Sequence, residues 1–117
     1  GRLALWLGDG NSVAEVAADK PLSVRDWYFV AASFDASTRT VTLYQEPVLN
    51  PYNSRLSPIV PRDDSSHLSA TVAVTPARLA RPALLAGVHD RAVPRGDFVS
   101  CVFNGKIDRC GIQARVL

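Results

Sequence analysis

Asp26-Trp27-Tyr28-Phe29-Val30-Ala31-Ala32-Ser33-Phe34-Asp35 is the stretch that decides the fold. Two aspartates bracket an uncharged run rich in aromatic residues, the side chains that best suit a pleated surface. No glycine or proline interrupts it. With the strand period of two, Trp27 and Phe29 fall on one face and Tyr28, Val30 and Phe34 on the other, so both faces are apolar. The pattern predicts a strand over 26–34, central in its sheet and covered on both sides.

The same period extends outward in both directions. Upstream, Leu3, Leu5 and Leu7 alternate with Ala4 and Trp6. Gly8-Asp9-Gly10-Asn11 then supplies residues that tolerate a tight reversal, and 12–18 returns as the second arm of a hairpin. Lys20-Pro21-Leu22 closes that arm, because proline cannot donate to a ladder. Downstream, Asp35-Ala36-Ser37-Thr38 is a turn, and 39–45 sets Val41 and Leu43 against Thr40, Thr42 and Tyr44. From Glu46 to Ser69 the character changes. Pro47, Pro51, Pro58 and Pro61 exclude a strand of useful length, so 46–69 is expected to be a long loop that is functional or packed on a neighbour. Strand character resumes over 70–74, 83–88, 98–108 and 111–117. The one helical window, around Pro76-Ala77-Arg78-Leu79-Ala80, is bounded by Pro76 and Pro82. The expected fold is all-β, an antiparallel sandwich of jelly-roll type.

Composition bounds the rest. The chain has 117 residues, 47% hydrophobic and 21% charged, which is room for one domain spanning 1–117. No apolar run approaches the roughly 20 residues of a membrane span, and Gly1-Arg2-Leu3-Ala4 does not open a signal peptide. Thirteen Lys+Arg against eleven Asp+Glu give a net charge of only +2. The arginines scatter from Arg2 to Arg115, so neither nucleic acid nor membrane is expected as a partner. There is no methionine, even at position 1, and the chain is read as a segment of a longer translation product.

Candidate chemistry is sparse. Asp63-Asp64-Ser65-Ser66-His67 is the densest polar cluster, but calcium takes about six to eight oxygens. Two carboxylates and nearby hydroxyls fall short, so a solvated loop and no metal site are expected. His67 and His89-Asp90 suggest an acid–base pair, yet no serine or cysteine nucleophile sits in a turn motif, and surface histidines are expected. No catalytic residue is assigned. Asn104-Gly105 marks a backbone bend. Cys101 and Cys110 are too few for a disulfide framework and lack zinc-ligand spacing, and sequence leaves their pairing open. Among the aromatic residues, Trp27 is expected in the core. Trp6, opposite the leucine face, is the candidate for an exposed ring that stacks on a ligand.

Several runs together carry a family resemblance: 26–35, Val41-Thr42-Leu43-Tyr44, Leu84-Leu85-Ala86-Gly87, Phe103-Asn104-Gly105-Lys106-Ile107-Asp108 and the closing Val116-Leu117. In that order they resemble the motifs of concanavalin A-like (laminin-G-like) domains. More narrowly, Gly1-Arg2-Leu3-Ala4-Leu5, Asp19-Lys20-Pro21-Leu22, Asn50-Pro51-Tyr52-Asn53-Ser54-Arg55 and Val60-Pro61 resemble the laminin-G-like domain of N,N-dimethylformamidase large subunits. The resemblance implies a bacterial, cytoplasmic amidohydrolase whose mononuclear iron, held by tyrosine and glutamate, lies in another domain. None of those ligands maps onto this chain, so no cofactor is expected within it, and the two thiols are expected to be buried and reduced. It also implies that the sandwich lacks its first strands. Other domains of the parent protein, or another copy of the chain, would then cover an open edge. The expected role is a non-catalytic structural or interaction segment. The alternative is a carbohydrate- or ligand-binding, lectin-like module.

Overall fold

The computed structural model describes residues 1–24, 26–48, 64–77 and 105–114, together with the backbone of 88–89 and 99–100. The strands expected over 83–87, 98 and 101–104 and the loop tip over 49–63 lie outside the described residues. The chain divides into two units, Gly1–Ala77 with Ala114–Leu117, and Arg78–Gln113. All strands pair antiparallel, and there is no helix among the described residues.

Among the described residues the first unit has five strands: β1 (Arg2–Gly8), β2 (Val13–Pro21), β3 (Tyr28–Asp35), β4 (Thr40–Pro47) and β5 (Ser66–Thr71). They form a two-stranded sheet, β1-β2, and a three-stranded sheet, β3-β4-β5. The hairpins form where turn chemistry meets alternation. In the first turn, the Asp9 carboxylate accepts the N–H groups of Asn11 and Ser12, each at 2.7 Å, and Gly10 takes a φ of 101° that suits glycine. Those N–H groups, Ser12 foremost, hold the Asp9 carboxyl below its ordinary pKa. In the second turn, Asp35 accepts the Ser37 N–H at 2.8 Å and its hydroxyl at 2.7 Å, while Arg39 adopts a φ of 55°. The Arg39 carbonyl then accepts the Val72 N–H at 2.9 Å, tying the residue after β5 to this turn.

The inner faces of the two sheets pack on each other. Leu7 and Val16 from one sheet meet Val41 and Leu43 from the other, with Val72 completing the buried cluster. Leu3, Leu5, Ala14, Phe34, Leu68 and Ala70 pack around it. Fully burying an aliphatic side chain of this size stabilises by about 1.5–3 kcal/mol, so this cluster dominates the unit's stability.

Several expectations change. Among the described residues β3 is an outer strand of its sheet and not the central one, because β4 flanks it on one side and β5 pairs with β4. Phe29 and Val30 are accordingly 57% and 45% exposed, and Trp27, just ahead of the strand, is 36% exposed instead of in the core. β5 begins at Ser66, inside the stretch read as loop, because pairing of Gln45 with Ser66 and Tyr44 with His67 overrides weak local propensity. Finally, 105–108 and 111–114 are irregular and exposed instead of strand.

In the second unit, β6 (Val88–His89) and β7 (Val99–Ser100) pair through Val88 with Ser100 and His89 with Val99. Asp108 and Arg109 form an exposed ion pair at 3.7 Å, of a kind that contributes little to stability. Cys110 is exposed and not buried, since the segment around it is irregular. Cys101 lies outside the described residues.

Candidate functional site

Register across the three-stranded sheet builds a row of rings on its outer face. Ala31 pairs with Tyr44, and Tyr44 pairs with His67, which puts all three on the side away from the core. Phe29 reaches Tyr44 diagonally. The Phe29 and Tyr44 rings meet edge to face at 5.7 Å and 69°, and Tyr44 meets His67 at 5.9 Å and 67°, the arrangement aromatic pairs prefer. Phe29, Ala31, Thr42, Tyr44, Glu46 and His67 line an open concavity of about 510 Å³. It offers aromatic edges together with a phenol, a hydroxyl, an imidazole and a carboxylate. Thr42 Oγ1 lies 3.1 Å from Ser69 Oγ on the same face. Such a surface suits a flat or amphipathic partner, and no nucleophile–base pair is set up on it.

A second polar group lies at the rim of the core. Gln45 is fully buried on the inner face of β4, continuing the parity of Val41 and Leu43. Its Nε2 donates to the Asp64 carbonyl at 2.7 Å. The Tyr28 hydroxyl donates to the Asp64 carboxylate and accepts the Ser23 N–H at 3.0 Å. Ser66, the cross-strand partner of Gln45, donates its hydroxyl to Asp19 at 2.5 Å. That bond is the main cause holding the Asp19 carboxyl below its ordinary pKa. With Val48 N–H donating to the Trp27 carbonyl at 2.7 Å, these bonds fasten both ends of the proline-rich segment to β3 and β4. The rim is a clamp on the ends of that segment, and within it Gln45 Oε1 is buried without a hydrogen-bond partner.

The residues singled out in the sequence are dispersed. Trp6 stands on the outer face of the other sheet, paired in register with Glu15 and 69% exposed. It shares no face with the Phe29-Tyr44-His67 row. Of the polar run expected as solvated loop, Asp64 is half-buried, Ser66 is buried in β5, and only Ser65 and His67 are exposed. Asp63 lies outside the described residues, as do Asp90 and the side chain of His89. Among the described residues, no group of three or more His, Cys, Asp or Glu stands together to hold a metal. Tyr44 and Glu46 are the tyrosine and carboxylate that share the outer face. A single carboxylate beside one phenol on an open surface does not compose an iron site. Sequence reading missed the Phe29-Tyr44-His67 row and the role of Gln45. The alternation Val41, Leu43, Gln45 was the signal that placed Gln45 inward.

Fold and surface together define a layered antiparallel β protein with an aromatic row on one outer face, and no helix among the described residues is long and apolar enough to cross a membrane. Curated relatives narrow that class. The chain is 37% identical over 120 residues to the N,N-dimethylformamidase beta subunit of Paracoccus aminophilus, and the match covers 100% of this chain. It is 33% identical over 111 residues, 92% of the chain, to the N,N-dimethylformamidase beta subunit of an Alcaligenes species. The chain is therefore homologous to part of these beta subunits. It spans 16% and 14% of their respective lengths. No family model matches the chain.

Proposed function

We propose that this chain is a concanavalin A-like (laminin-G-like) β-sandwich segment of a dimethylformamidase-like amide hydrolase. Its role is architecture and contact between parts of that enzyme. The amide-cleaving chemistry, and any iron that serves it, belong to regions outside residues 1–117, and a cytoplasmic location goes with this reading. The observation that carries it is the homology itself, which covers the chain from end to end yet occupies a small share of each relative. The outer face supports a contact role, since Phe29 and His67 are exposed on either side of the half-buried Tyr44 and no nucleophile–base pair stands among them. The test is turnover of N,N-dimethylformamide by the purified chain with ferrous iron added. No turnover is expected, and hydrolysis above the buffer rate overturns the reading.

A second reading, a carbohydrate- or ligand-binding module, draws its support from the concavity around Tyr44 more than from Trp6. Polar groups surround the Tyr44 ring, and Trp6 has only Glu15 opposite it in register. Glycan-array binding abolished by Tyr44→Ala and retained by Trp6→Ala would favour this second reading.

A further inference from the structure

The outer face of β3-β4-β5 differs in charge from the chain that carries it. The chain has 13 Lys+Arg against 11 Asp+Glu. Yet none of the strand residues that register places on this face is Lys or Arg, and its carboxylates are Asp35 and Glu46. Glu46 is exposed and lines the concavity around Tyr44, and among the described residues it enters no ion pair. The concavity, about 510 Å³, is of the size that takes a small molecule. Its fixed charge is of one sign, and an uncharged ligand would gain nothing from it.

Ring geometry points the same way. The Phe29 and Tyr44 planes meet at 69° and those of Tyr44 and His67 at 67°, so the three rings are steeply inclined to one another. The face of an aromatic ring is its negative side, and it attracts a cation within about 6 Å of the centroid. Rings inclined in this way can hold one compact charge jointly. Glu46 pairs in register with Phe29 and follows Tyr44 by two residues, which puts the carboxylate at the same end of the concavity as these two rings. Hydroxyls mark the other end. Thr42 Oγ1 and Ser69 Oγ lie 3.1 Å apart, and when one donates to the other, the acceptor keeps its own proton for a ligand. Glu46 and Thr42 are four residues apart on one strand, about 13 Å at the usual rise.

We propose that this concavity binds a small alkylammonium ion that carries a polar tail. The charged head sits between the Glu46 carboxylate and the rings of Phe29 and Tyr44, and the tail reaches the Thr42 and Ser69 hydroxyls. Alkylation of the nitrogen matters. A bare ammonium or a metal ion is strongly hydrated, and one carboxylate among rings cannot replace the water it would lose. Alkyl groups weaken that hydration and gain contact with Phe29, Ala31 and Tyr44 while the charge still reaches the ring faces. The inference deepens the ligand-binding reading given above and rests on it. It does not depend on the hydrolase reading.

The experiment is an NMR titration of the amides of the 117-residue chain with choline at constant ionic strength, at mildly alkaline pH where an imidazole is uncharged. Shifts are expected to concentrate at Phe29, Thr42, Tyr44, Glu46 and His67, with a dissociation constant in the millimolar range that suits an exposed cation–π site. Glu46→Gln and Tyr44→Leu should each raise that constant roughly threefold or more. Tyr44→Phe, which keeps the ring, should stay within about twofold, and Trp6→Ala on the other sheet should change nothing. If Tyr44→Leu fails to give a folded spectrum, Glu46→Gln decides alone. The uncharged carbon isostere of choline should bind at least severalfold more weakly. Equal binding of that isostere, shifts spread away from these residues, or indifference to Glu46→Gln overturns the proposal. A glycan that shifts this face where choline does not overturns it and leaves the broader ligand-binding reading standing, whereas binding of neither removes both.

Discussion

β3 and β4 are neighbours in one sheet, eight residues each, and their burial runs opposite to their composition. Tyr-Phe-Val-Ala-Ala-Ser-Phe-Asp is the more apolar strand, yet it exposes Phe29 and Val30. Thr-Val-Thr-Leu-Tyr-Gln-Glu-Pro is the more polar, yet Val41, Leu43 and even Gln45 are wholly inaccessible. Position decides between them. β4 lies between β3 and β5 and under the other sheet, so its inner face is closed from every side. Among the described residues β3 has a strand on one side only. Apolar side chains of β3 thus stay exposed, while the polar Gln45 is buried, its Nε2 donating to the Asp64 carbonyl and its Oε1 without a partner.

The difference is open to attack by mutation. Leu43→Ala removes a fully buried side chain from a packed cluster and should cost about 2–5 kcal/mol in urea unfolding. A loss below about 1 kcal/mol would mean that the sheets do not pack as described. Gln45→Ala frees the Asp64 carbonyl and opens a void at the rim, with an expected cost of about 1–3 kcal/mol. Phe29→Ala on the neighbouring strand, measured at concentrations where the chain is monomeric, should cost only about 1 kcal/mol or less. Val30→Thr should stay within about 0.5 kcal/mol. If either matches Leu43→Ala, β3 is a core strand in solution and the contrast between the two strands fails.

A finer effect concerns pH. The Ser66 hydroxyl depresses the Asp19 carboxyl in the folded state. A group depressed on folding adds stability above its unfolded pKa and loses it as pH falls through the lower folded value. The gap in unfolding free energy between wild type and Ser66→Ala should therefore be full near neutrality and narrow as pH drops below the ordinary 3.8. A gap independent of pH would show that Ser66 acts by packing alone.

The two hairpins were legible in the sequence because alternation and turn chemistry agree there. Leu3, Leu5 and Leu7 face the core, Trp6 faces out, and Asp9-Gly10-Asn11 forms the turn. Local signals fail where pairing is set at a distance. Ser66-His67-Leu68-Ser69-Ala70-Thr71 follows a proline-rich run and has weak strand propensity, and only its ladder with β4 makes it β5. The central placement of β3 was inferred from its two apolar faces, but hydrophobicity reports that a strand is to be covered, not which strand covers it. The Phe29-Tyr44-His67 row is invisible in sequence for a related reason, since it depends on registers across three strands, one joined by a long connection.

The contrast between β3 and β4 is tested most directly by hydrogen–deuterium exchange of the 117-residue chain. Amides over Thr40–Pro47, paired on both sides, are expected to exchange more slowly as a set than those over Tyr28–Asp35. Equal protection of the two strands would contradict it.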